Sequence, residues 1–142
     1  MRYMMFMKVD EAVYERDPAG ETEAYAAMGR YNEELTKAGV LLALDGLQPP
    51  SAGARIEFGE GGATVVDGPF AEAKEVVGGY WIIDVRSHDE AVEWARRVPA
   101  RKGEAIELRP IFEAGDYDPA ALEAHGELSS APPRQTTSAS EA

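Results

Sequence analysis

Asp67 is the carboxylate of this chain with the strongest case for chemistry. It closes a predicted strand and is followed by Gly68, Pro69 and Phe70. A glycine lets backbone or ligand approach closely, and a proline restricts its neighbours, so the carboxylate is held in a defined position. As a functional group, Asp67 would serve as a general acid/base or as a hydrogen-bond acceptor for a ligand. The first role needs burial to raise its pKa. As a structural group it would cap nearby amides in an Asx-type turn while Phe70 fills the core. Arg109 comes next, between Leu108 and Pro110 in the predicted last strand. A guanidinium flanked by apolar residues in a central strand must find a partner, because an unpaired buried charge is costly. Asp67 and a ligand carboxylate are the candidates. Lys8 in the first strand poses the same question. Tyr25, Met28 and Trp81 have the bulk to line a cleft, or simply to pack the core. The candidate acid/base is therefore Asp67, and the candidate ligand contacts are Arg109, Phe70, Tyr25, Trp81 and Lys8.

Other chemistries are excluded by composition. The 142 residues hold no cysteine, which removes disulfides, thiol nucleophiles and thiolate metal sites. The two histidines, His88 and His125, are far apart in sequence and suggest no transition-metal site. Lys and Arg number 14 against 26 Asp and Glu, a formal charge of −12. With no basic stripe, direct contact with nucleic acid or an anionic membrane is not expected. Gly59-Glu60-Gly61-Gly62 lacks the Lys-Ser/Thr of a phosphate-binding loop and reads as a hairpin turn. No cofactor is called for. The first residues are too short an apolar run for a signal peptide, and no stretch approaches the roughly twenty apolar residues that span a bilayer. A soluble, cytoplasmic protein is expected.

The elements that must position these residues can be read in order. Arg2 to Val9 is a predicted buried strand, and Asp17-Pro18 supplies a cap and first helical residue. From Glu21 to Ala38, Tyr25, Met28, Tyr31, Asn32 and Leu35 recur at spacings of three and four, a helix with a core-facing stripe stopped by Gly39. Val40 to Leu44 is a second strand. Arg55 to Phe58 and Ala63 to Val66 form a hairpin, half-exposed by its alternation. Ala71 to Glu75 is a short polar excursion before the strand Val76 to Val85. Ser87 to Glu90 is a capping box opening a helix that Pro99 ends, and Ile106 to Phe112 is the last strand. Residues 1–115 form one domain. Beyond them lies an acidic, Ala/Ser/Pro-rich tail (116–142), with a weak helix over Asp116 to Glu127 and a flexible stretch from Leu128.

With the hairpin set aside, the order is β-α-β-β-α-β, the ferredoxin-like split pattern in the α+β class. Both helices then cover one face of the sheet. Yet Tyr80 and Ile82 point one way while Trp81, Ile83 and Val85 point the other, and Met4 and Phe6 oppose Tyr3, Met5 and Met7. Monomers rarely leave so apolar a face bare. A second copy packed sheet to sheet is the economical cover, which predicts a two-fold homodimer; the hairpin or the tail is the alternative cover.

Asn32-Glu33-Glu34-Leu35, Gly39-Val40-Leu41-Leu42, Asp67-Gly68-Pro69-Phe70, Gly79 to Asp84, Glu90 to Ala95 and Glu107-Leu108-Arg109-Pro110 together resemble the DGPF branch of the YCII-related families, over Met1 to about Asp116. The resemblance implies a dimeric α+β barrel and a possible link to extracytoplasmic-function sigma factors. Better-studied YCII relatives carry a His–Asp pair proposed as an acid/base dyad, and one relative acts in dehalogenating a chlorinated aromatic. In this chain Met28 stands where that histidine would lie and Lys37 near the aspartate, and neither can replace its counterpart: a thioether has no useful proton, and an ammonium has the wrong sign. Three functions are compatible with the residues: a dimeric small-molecule binding module, a cofactor-free enzyme using Asp67 on a small organic substrate, and a regulatory protein engaging a partner such as a sigma factor.

Overall fold

Alternation along the first strand sets the architecture. In β1 (Arg2–Asp10), Tyr3, Met5, Met7 and Val9 are buried, while Arg2, Met4, Phe6 and Lys8 between them are half-buried on the opposite face. Side chains of a strand point alternately to its two sides, so one face of β1 is core and the other is a second, partly covered surface. The structure, a computed structural model, describes residues 1–70 and 75–126. The remaining strands of the main sheet are β2 (Leu41–Gly46), β5 (Glu75–Asp84) and β6 (Ala105–Pro110), in the order β2-β5-β1-β6 with every pair antiparallel. Two helices, α1 (Thr22–Lys37) and α2 (His88–Arg96), alternate with these strands in the split β-α-β-β-α-β order. The chain is α+β, as its pattern predicts.

The helices start and stop where local chemistry requires. The Asp17 carboxylate accepts from the Ala19 amide at 3.0 Å and starts a 3-10 turn, Pro18–Glu21, that leads into α1. Gly39, at φ 73°, follows the last turn of α1 in the left-handed conformation that ends helices. Ser87 Oγ accepts from the Glu90 amide at 3.1 Å, and the Glu90 carboxylate accepts from the Arg86 amide at 2.9 Å. Tyr31 and Leu35 of α1, with Ala91 of α2 and Val98 beyond it, join Tyr3, Met5, Trp81 and Ile83 in the core. Two contacts clasp the helices together: the Tyr31 hydroxyl donates to the Trp94 carbonyl at 2.8 Å, and the Arg97 guanidinium lies 4.4 Å over the Trp94 ring while pairing with Glu34. Burial pushes the Tyr31 hydroxyl well above its ordinary pKa, so it stays a neutral donor.

Three expectations are corrected. Tyr25 does not belong to the core stripe of α1; it sits one turn before the buried part of the helix and is 72% exposed. The last strand is not central. Among the described residues β6 pairs only with β1 and forms the sheet edge, so Arg109 is exposed and the burial argued for it from flanking apolar residues does not arise. The hairpin, β3 (Ala54–Gly59) and β4 (Gly62–Asp67), is not half-covered but forms a two-stranded sheet of its own, with all but Val66 of its strand residues exposed.

Beyond β6, Asp118 caps a short helix α3 (Pro119–His125), where a weak helix is expected. Phe112, Tyr117 and His125 stack in series, with ring centroids 5.0 and 6.3 Å apart. Most of the polar excursion (71–74) and the stretch from Leu128 lie outside the described residues. Among the described residues no helix is long and apolar enough to cross a membrane.

Candidate functional site

Between α1 and the β2 side of the sheet is a cleft of about 230 Å³. Its helix wall is Tyr25, Met28 and Asn32, residues spaced three and four apart and hence on one face of α1. Its sheet wall is Met7 of β1, Leu44 of β2 and Trp81 of β5, all on the helix-covered side by strand alternation. The gap between these walls exists because Gly46, Gly78 and Gly79 line it without side chains. Gly78 is the extra residue where the β1–β5 register slips, since Met7 pairs with Gly79 and Lys8 with Val77. A Cβ on Gly78 would come 2.9 Å from Val9 Cγ2, and one on Gly79 would come 3.0 Å from the Asp45 carbonyl oxygen. Larger residues at these two positions would crowd the sheet.

One hydrogen bond organises the cleft wall. The Trp81 indole N–H donates to Asn32 Oδ1 at 2.8 Å, and the Tyr31 ring stands edge-on to the indole, 5.9 Å between centroids. An indole N–H can only donate, so this bond fixes which way the Asn32 carboxamide points and leaves its NH₂ as the spare donor. On the other face of the sheet, the Tyr80 hydroxyl donates to Asp45 Oδ2 at 2.7 Å, and that hydrogen bond raises the Tyr80 pKa above its ordinary value. Among the described residues no Lys, Arg or His lines the cleft. It is apolar, aromatic and rich in thioether, with one carboxamide to orient a guest.

The residues singled out from sequence fall in three separate places. Tyr25 and Trp81 come together in the cleft, with Met28 between them on the helix side. Lys8 and Arg109 lie on the opposite, open face of the sheet: Arg109 stands across from Met4, and Lys8 across from Ala105 and Val77. Asp67 and Phe70 lie at the base of the β3–β4 arm. Asp67 is exposed at the end of β4, paired with Ala54. Phe70 is half-buried under the Arg55 guanidinium, 5.7 Å above its ring, and borders a broad open groove with Leu47, Pro50 and Val76. The corner itself is tight. A Cβ on Gly68 would fall 1.8 Å from the Pro50 carbonyl oxygen, and the Gly68 amide donates to Gly53 O at 3.2 Å. The glycine is required because the two backbones touch. Lys37 pairs with Glu33 at 3.2 Å on the exposed side of α1, away from the cleft.

Asn32, Leu44, Met7 and the three glycines were not among the candidates. Asn32 did carry a signal, as a polar residue inside an apolar helical stripe, and paired glycines within a strand mark a bulge or a close approach.

A family model described as YCII-related domain matches residues 1–114. An uncharacterized protein of Rhizobium meliloti (strain 1021) is 31% identical over 131 residues, which cover 92% of this chain and 100% of that protein.

Proposed function

The chain belongs to the YCII-related domain family, and we propose that it is a dimeric binding module for a small, uncharged organic molecule held between α1 and the sheet. The observation that carries this is the cleft of about 230 Å³ walled by Met7, Met28, Leu44 and Trp81. An apolar cavity of roughly 150 Å³ already accommodates benzene, so this one suits a single ring with short substituents. The spare Asn32 donor would meet a carbonyl or hydroxyl oxygen of the guest. A carboxylate would enter without a cation to meet it, and an unpaired charge at an apolar site is strongly disfavoured. Asp67, exposed at the arm base and absent from the cleft lining, supports binding over acid/base work. The Asp67-Gly68-Pro69-Phe70 corner supports placement in the DGPF branch of the family. The half-buried Met4, Phe6, Tyr80 and Ile82 support a sheet-to-sheet homodimer, and with it the α+β barrel of the family.

A thermal-shift panel of single-ring compounds in matched neutral, carboxylate and ammonium forms tests the binding reading. At a hundredfold excess over Kd a ligand adds about 2.7 kcal/mol, which for a chain of this size raises the midpoint by several degrees. A neutral member is expected to give a saturable rise that its carboxylate partner does not match. Met28→Trp, which fills the cleft, is expected to abolish the rise. A panel in which no compound moves the midpoint at millimolar concentration, or in which Met28→Trp leaves the rise intact, overturns the proposal.

A further inference from the structure

The β3–β4 arm is amphipathic with its apolar side uncovered. Cross-strand pairing sets Ile56 opposite Val65 and Phe58 opposite Ala63 on one side, and Arg55 opposite Val66 and Glu57 opposite Thr64 on the other. Ile56 is 49% exposed, Val65 67% and Phe58 83%. A lone two-stranded hairpin is marginal in water, and a one-sided apolar stripe marks a face that something covers.

We propose that this side of the arm is covered by a second copy of the same chain, each subunit laying its arm beside the open sheet face of the other. The inference rests on the dimer proposed above and adds the contact that completes it. Area supports a second copy. Met4, Phe6, Tyr80 and Ile82 are already half-buried within one chain, so sheet-to-sheet packing alone has limited apolar surface left to remove. Ile56, Phe58 and Val65 expose roughly 350 Å² between them at ordinary side-chain areas, and two arms with the surface they cover reach the roughly 1,200–2,000 Å² of a specific interface. Continuity adds a second reason: the arm lies in the chain between β2 and β5, two of the strands that build the open face.

The double variant Phe58→Asp/Val65→Asp tests this by sedimentation, with far-ultraviolet circular dichroism confirming that the sheet and helices persist. Both side chains are solvent-exposed, so the core does not depend on them. The wild type is expected to be a dimer at micromolar concentration, and the variant's dissociation constant to rise at least about tenfold. A second readout avoids the disruptive substitutions. Because the chain has no cysteine, a polarity-sensitive dye on Phe58→Cys labels one site, and its emission should shift to the blue along the dimerisation curve. A wild-type dimer whose affinity is unchanged by the double variant, or whose dye stays water-exposed, overturns the arm contact and leaves the dimer standing. A wild type that remains a monomer overturns both.

Discussion

Trp81 and Asn32 form one pairing whose part in stability and in the proposed binding can be separated by substitution. Trp81 is 5% exposed, and its N–H has the Asn32 carboxamide oxygen as acceptor. Asn32→Leu keeps the approximate volume and removes the acceptor. A buried donor left unsatisfied costs about 1–3 kcal/mol, so the midpoint should fall by several degrees. Asn32→Asp retains an oxygen for the indole and should keep more stability than Asn32→Leu. It also removes the carboxamide donor and adds a negative charge, so affinity for a neutral guest should fall in both variants. Calorimetry and ligand titration on the pair separate the two roles; equal midpoints for Asn32→Leu and wild type would show that the bond carries no weight. Trp81 was legible in the sequence, because a strand apolar on both sides must be buried. Its partner was less so, since helical spacing places Asn32 on the right face without saying which side chain it meets across 49 residues.

At the level of elements, an ion pair ties the entry of α1 to the loop before β6. The Arg101 guanidinium donates to the Glu21 carboxylate, and this hydrogen bond, more than the attraction to Arg101 and Arg16, holds the Glu21 pKa below its ordinary value. A carboxylate with a depressed folded-state pKa stabilises the fold above its unfolded pKa of about 4.3, and that contribution is lost as pH falls through the folded value. The midpoint gap between wild type and Glu21→Gln should therefore be constant from pH 6 to 7 and narrow below about pH 4 as the carboxylate is protonated in both states. Thermal melts across that range measure it, and a gap of unchanged size at pH 2–3 would rule out the ion pair as its source. The elements themselves were readable from caps, breakers and alternation: Asp17, Gly39 and Ser87 stand where helices begin and end. Their arrangement was less so. Nothing local in Ile106 to Pro110 says that β6 is an edge rather than a central strand, so the burial of Arg109 could not be judged. The hairpin alternates like any half-covered strand pair, and alternation cannot tell a face resting on its own domain from one left free.

For the whole molecule, the main sheet divides its labour between two faces. The helix-covered face holds the cleft, with Met7, Leu44 and Trp81. The open face holds Met4, Phe6, Tyr80 and Ile82, ringed by charges of both signs. Two chains of charge −12 repel at long range, so added salt should tighten an interface between them by screening that repulsion. Ile82 lies in β5, an interior strand of that face, and is half-buried, so a lysine there can extend toward solvent in a lone subunit. In a sheet-to-sheet pair the same lysine would be buried among apolar side chains without a partner. Ile82→Lys should therefore raise the dimer dissociation constant at least about thirtyfold while preserving the fold. It should also leave binding of a neutral ring compound largely intact, because Ile82 and the cleft lie on opposite faces. Sedimentation and ligand titration on the one variant test both halves. Unchanged association would move the interface off the open face, and loss of ligand binding on dissociation would mean that the cleft is complete only in the pair.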